Sequence, residues 1–289
     1  MIKLAAPHRF LSALFPFAAL LATLAPVSAF AQSPQKIVED VVWNEARAEA
    51  DDHSRWMYRD AYSSPAKDTV RLFIQTPEAN LSELIEDHGQ PPTPQEHQAD
   101  LTHMQQLVTD PALRARMRRN EAHDGQQADQ LMKMLPTAFD WTIVSREHGL
   151  ITLAYHPDPS FTPPSMSARV LSSMSGTLVV NEQYRRLVSL TGKLLKPVEF
   201  GWGLLGHLDA GGTFQIVREQ VAPGEWQIVQ THVHISGHAL FFKTIGDQED
   251  EVTSDYKPVP ADVGLEKAAA MIRDGELARD LGVTVDFSR

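Results

Sequence analysis

Of the chain's twelve histidines, two stand at a spacing that carries chemical meaning, in Thr231-His232-Val233-His234. Successive side chains of a β-strand point to opposite faces, so His232 and His234 share a face and offer two imidazoles side by side. Two histidines with one further protein donor make a zinc site. His238, beyond Gly237, and His207 match in type, but nothing in the sequence sets either within reach of the pair. Polar side chains on a solvent-facing or lumen-facing strand are the simpler explanation. No metal ligand and no cofactor is therefore assigned.

Gly201-Trp202-Gly203-Leu204-Leu205-Gly206 matches the dinucleotide-binding G-x-G-x-x-G letter for letter. That motif works only where a helix follows and its N-terminus holds pyrophosphate, whereas Gly211-Gly212 and a strand come next here. A glycine-rich bend between strands is expected instead. No G-x-S-x-G elbow occurs, and Glu249, Asp250 and Glu251 read as solvated carboxylates at a strand end. His53, Trp56, Tyr58 and Arg59 make an aromatic and basic start to the first strand, which presents either a ligand contact or an edge capped by polar residues, the second being the simpler explanation. None of these makes a catalytic motif, so a non-enzymatic protein is expected.

The elements that position these residues begin with a leader. Lys3 and Arg9 precede an apolar run from Phe10 to Val27, and Ala29-Phe30-Ala31 fits the A-x-A cleavage pattern of a secretory signal peptide. Residues 1–31 are expected to be removed after Ala31, leaving residues 32–289 as one periplasmic or secreted domain that does not span a membrane. Without Lys3 and Arg9, 24 of the 26 basic residues remain against 37 acidic ones, a net charge of −13. Such acidity argues against a nucleic-acid surface. The basic cluster Arg114, Arg116, Arg118 and Arg119 is offset by Glu121, Asp124 and Asp129 and reads as a solvated helix face. With no cysteine, the chain has no lipid-attachment box, no disulfide and no thiolate ligand.

Ser33-Pro34 starts an amphipathic helix that runs to about Ala50, followed by strands around Trp56–Tyr58, Thr69–Ile74 and Leu81–Glu86. Thr93-Pro94-Gln95-Glu96 is a capping box with proline at the first helical position, and Asp110-Pro111 restarts a helix that Pro136 should stop and Gly125 should bend. Residues 93–136 are thus expected to form a polar helical insertion. From Phe139 the chain reads as an antiparallel meander. Its strands are 139–146, 150–156, 169–180, 186–195, 214–221, 226–236, 239–245 and 252–257, and a helix follows over 265–281.

Gly176-Thr177-Leu178-Val179-Val180, Lys196 to Gly203, Gly211-Gly212-Thr213-Phe214 and Ala239 to Lys243 resemble uncharacterised secreted bacterial proteins similar to the LolA-type lipoprotein carriers. The resemblance is best over residues 138–260, and the 93–136 insertion departs from it. It implies an α+β fold: a strongly curved antiparallel sheet forming an open half-barrel, with helices over the concave side and an apolar cavity between. Phe200, Trp202, Leu204, Leu205, Phe214, Trp226, Phe241 and Phe242 are the candidates for lining that cavity, with ordinary core packing as the competing role. The expected partner is a lipid, a lipoprotein acyl group or another apolar small molecule, since each buried methylene contributes about 0.8 kcal/mol. The alternatives are a ligand-free envelope interaction module that docks a protein through the 93–136 helices, and a metal-dependent hydrolase using His232 and His234.

Overall fold

Ser33 accepts a hydrogen bond from the Lys36 amide at 3.2 Å, and Pro34 takes the first helical position, which together start α1 (Pro34–Asp51). A computed structural model describes residues 32–200, 206–239 and 243–283; the expected leader lies outside the described residues. After α1 come β1 (Trp56–Ser64), β2 (Lys67–Gln75) and β3 (Asn80–Asp87), then α2 (Pro94–Thr109) and α3 (Pro111–Ala138). The meander follows as β4 (Phe139–Glu147), β5 (Leu150–Pro157), α4 (Met166–Leu171), β6 (Met174–Asn181), β7 (Arg186–Leu194), β8 (Val198–Phe200), β9 (Gly206–Leu208), β10 (Thr213–Ala222), β11 (Glu225–Ala239) and β12 (Lys243–Pro258). Two short helices, α5 (Leu265–Arg273) and α6 (Glu276–Asp280), complete the described chain.

The fold is α+β, built on one large antiparallel sheet that curves without closing. Its strand order is β3-β2-β1-β12-β11-β10-β7-β6-β5-β4, and the short β9 joins it through β11 and carries β8. Register assigns the faces. Leu190, Ile216, Thr231, Glu251 and Tyr62 are successive cross-strand partners from β7 to β1, so all five share one face, here the front. At the β4–β7 end, Trp141, Leu153, Tyr155 and Leu178 of this face pack against Ile37, Val38 and Val41 of α1 and Leu135 of α3. Burying each such α1 side chain contributes about 1.5–3 kcal/mol.

Strands β1 and β2 pair without a register shift, so Tyr58, Asp60 and Tyr62 stay on the front face while Met57 points to the back. On that back face, Met57, Leu72, Ile74 and Leu81 form a second core with Met104 and Leu107 of α2, Ala268 and Ile272 of α5, and Leu277 of α6. The helices therefore divide between both faces, whereas the resemblance gathers them on the concave side. Residues 93–136 are also more than an insertion, because α2 supplies one core and the end of α3 the other.

Several local expectations change. Helix α3 runs through Gly125 and ends at Ala138, two residues after Pro136. Residues 169–171, expected to begin a strand, end α4 instead, whose start is fixed by Ser165 capping the Ala168 amide at 3.1 Å. Strands expected separately over 239–245 and 252–257 give way to the single strand β12, while β11 ends at Ala239. The expected 265–281 helix breaks at Gly275, whose φ of 64° lies in the left-handed region. Arg114 and Arg118 are not simply solvated: Arg114 Nη1 donates to the carbonyls of Leu107 and Val108 at 2.6 and 2.8 Å, and Arg118 Nη1 to that of Glu78 at 2.8 Å.

Candidate functional site

Between α1 and α3 on one side and the central strands on the other lies a cleft of about 720 Å³. Helical spacing puts Val42, Glu45, Ala46 and Glu49 of α1 towards it, and Gly125, Asp129 and Met132 of α3. The sheet contributes Ile216, Trp226, Ile228, Tyr58 and Tyr256. Tyr58 stacks between Phe73 and Tyr256, with ring centroids 5.2 Å from each.

One wall is fixed by a buried ionic cluster. Glu45 accepts hydrogen bonds from Arg186 Nε at 3.0 Å, Arg186 Nη2 at 3.1 Å and the Leu187 amide at 2.7 Å, and pairs with Arg218 Nη1. Arg218 Nη2 donates to the Trp226 carbonyl at 2.8 Å, and the Arg186 guanidinium lies 5.9 Å from the Trp226 ring centroid. Burial pulls the Arg218 pKa down while Glu45 pulls it up. This cluster couples α1 to β7 and β10.

Tyr58, Tyr256 and Glu251 make another part of the lining, and Asp60 follows Tyr58 on the same face of β1 without lining the cleft itself. Burial and the neighbouring Glu251 push the Asp60 carboxyl up to about 6, and its Oδ1 is buried without a hydrogen-bond partner. Glu251 is raised by burial and by Glu249; Tyr58 is raised by burial first, then by Tyr256, Asp60 and Glu251. Among the described residues, seven carboxylates border the cleft (Glu45, Glu49, Asp51, Asp52, Asp129, Glu225 and Glu251) against three cations, Lys133, Arg186 and Arg218.

Of the eight cavity candidates from sequence, Trp226 lines the cleft. Phe200 and Phe214 pack against the β4–β7 core, Phe214 over Gly192. Trp202, Leu204, Leu205, Phe241 and Phe242 lie outside the described residues. Sequence reasoning missed Glu45, Arg186 and Arg218, which are far apart in the chain and individually unremarkable.

The back face brings together another group. His232 and His234 do share that face, with ring centroids 4.1 Å apart, and Asp250 is the third member. Asp250 Oδ1 lies 2.5 Å from His232 Nδ1 and Oδ2 lies 2.9 Å from His234 Nε2, contacts that hold the carboxyl below its usual range. Asp250 is thus a strand-interior residue directly opposite His232 rather than one at a strand end, although its side chain remains about half exposed. A signal existed: His232 and Asp250 are equidistant from Phe241, so reading β11 and β12 as one hairpin places them in register. Further along β11, His207 and His238 face each other across the β9 pairing, with Asp209 Oδ1 at 3.2 Å from His207 Nε2 and Oδ2 at 3.8 Å from His238 Nδ1.

Among the described residues, no helix is long and apolar enough to cross a membrane. Comparison with protein-family models, with curated proteins and with solved structures returned no match to this chain.

Proposed function

We propose that the protein is a non-enzymatic binding protein of the periplasm or exterior, and that it takes up an amphipathic small molecule in the cleft between α1, α3 and the central strands. The observation that carries this is the composition of the cleft walls. Ile216, Trp226, Ile228 and Met132 offer an apolar surface beside stacked Tyr58 and Tyr256, with carboxylates outnumbering cations around them. An alkyl chain or ring system gains from burial against the apolar wall. A neutral or cationic polar end suits the acidic and aromatic lining, since aromatic faces attract cations and the carboxylates repel an anionic head. The likeness of residues 138–260 to the lipoprotein-carrier type supports the same class of ligand, with the half-barrel as container.

Two measurements test this. Mass spectrometry of organic extracts from protein purified without detergent should reveal a near-stoichiometric amphiphile absent from an equally treated periplasmic control. A dansyl-labelled alkylamine should bind saturably, more tightly than the matching alkanoate, and Ile228→Lys should weaken that binding at least tenfold without changing the melting temperature. Ile228 is 45% exposed, so a polar residue there is tolerated by the fold. Clean extracts together with no saturable binding of either probe would overturn the proposal.

A further inference from the structure

The half-exposed back face of β11 and β12 holds a donor set that the cleft does not use. We propose that His232, His234 and Asp250 form a mononuclear binding site for a divalent transition-metal ion of the zinc type. The three ligand atoms lie within 4.8 Å of one another and come from two directly paired strands, so the backbone already fixes their approach. Bonds of about 2.0–2.1 Å from zinc to imidazole nitrogen or carboxylate oxygen separate tetrahedral ligands by roughly 3.3 Å. Asp250 needs only a sub-ångström retreat from its 2.5 and 2.9 Å contacts to admit an ion between itself and the two rings.

Orientation supports the assignment. His232 turns Nδ1 towards Asp250 and has Nε2 3.3 Å from the Thr213 hydroxyl on β10. A ligating histidine characteristically has its other ring nitrogen held by such a partner, which fixes tautomer and ring angle. Thr213 is accordingly a positioning residue. Two imidazoles and one carboxylate suit zinc, copper, nickel or iron, and exclude calcium and magnesium, which require oxygen donors throughout. Three protein ligands also leave a coordination position for water or for a donor from a partner.

His207, Asp209 and His238 repeat the same donor types, starting four residues beyond His234 on β11, about 13 Å at the strand rise. The test must therefore tell the two groups apart. Protein stripped with a chelator is titrated with zinc alone by calorimetry and with cobalt(II) alone by visible absorption. Saturable binding is expected, with calcium and magnesium giving none. His232→Ala/His234→Ala should remove one equivalent, and Asp250→Asn, which keeps the shape of the side chain, should weaken that equivalent at least tenfold. Thr213→Val should weaken it roughly 10–100-fold. His207→Ala/His238→Ala should leave it intact, and circular dichroism and melting of the metal-free variants should match the metal-free parent. If His232→Ala/His234→Ala fails to fold, Asp250→Asn carries the decision. Absence of saturable zinc binding, or an unchanged stoichiometry and affinity in a folded His232→Ala/His234→Ala or Asp250→Asn variant, would overturn the assignment.

Discussion

Gly192 lies directly beneath the ring of Phe214: a Cβ on Gly192 would stand 2.1 Å from Phe214 Cε1 and 2.8 Å from the Tyr155 hydroxyl. Its cross-strand partner Gly176 is tighter still, 1.9 Å from the Thr191 carbonyl oxygen, and between them Tyr155 reaches across to donate to that oxygen at 2.7 Å. The two glycines make a slot that no larger residue fits. Gly192→Ala is expected to destabilise by about 1–3 kcal/mol, the usual cost of overpacking. The obstacle is a side chain, so Gly192→Ala/Phe214→Ala should cost less than the sum of the single changes. Gly176→Ala meets backbone and should not be relieved by Phe214→Ala. Urea unfolding of the five variants measures both couplings.

Glu45 is the only carboxylate hydrogen-bonded to both Arg186 and Arg218 among the described residues, and it is 6% exposed. Glu45→Ala strands two partly buried guanidinium groups and is expected to cost about 3–5 kcal/mol. Replacing all three residues with methionine removes the charges together and should cost much less. Equilibrium denaturation of the two variants gives the comparison.

Glu83 is 2% exposed on the back face beside Leu72, and burial, then Asp100, pushes its carboxyl from 4.5 up to about 7. Between those two values the native state keeps a proton that the unfolded chain has lost. Stability therefore falls as pH rises from 4.5 to 7, by about 3 kcal/mol from this group. Asp60, raised to about 6, adds a decline of the same sign. Glu83→Gln should flatten the slope over this window and be more stable than the parent at pH 8. Chemical denaturation at pH 5 and pH 8 checks it.

Gly125 sits inside α3 with nothing within 4 Å of the position a Cβ would take. Gly125→Ala should therefore raise stability by about 0.8–1.0 kcal/mol, the helix-propensity difference, with no clash to offset it. Thermal unfolding would show the gain as a higher melting temperature.

What is legible in this sequence is what is settled within a few residues. Thr93 and Glu96 cap each other as their spacing requires, and His148-Gly149, with φ of 54° and 76°, makes the tight turn expected between β4 and β5. Strand order and face depend on pairing between distant segments, which periodicity does not encode. Hence Asp250 reads as a strand-end carboxylate until β12 sets it opposite His232, and nothing in the sequence brings Gly192 under the ring of Phe214. The division of helices between the two faces is hidden for the same reason. Leu107 and Leu135 belong to equally ordinary amphipathic helices but enter different cores.

The Glu45 cluster also sets a timetable. Helix α1 is the first described element to leave the ribosome, yet Glu45 meets Arg186 141 residues later and Arg218 173 residues later. Ile37, Val38 and Val41 have no sheet to cover until β4 to β6 have emerged, and Glu45 lacks these two cations until β7 and β10 have followed. Assembly of α1 onto the sheet is therefore a late, long-range closure, the kind of step that slows folding and leaves the apolar face of an amphipathic helix uncovered until it is complete.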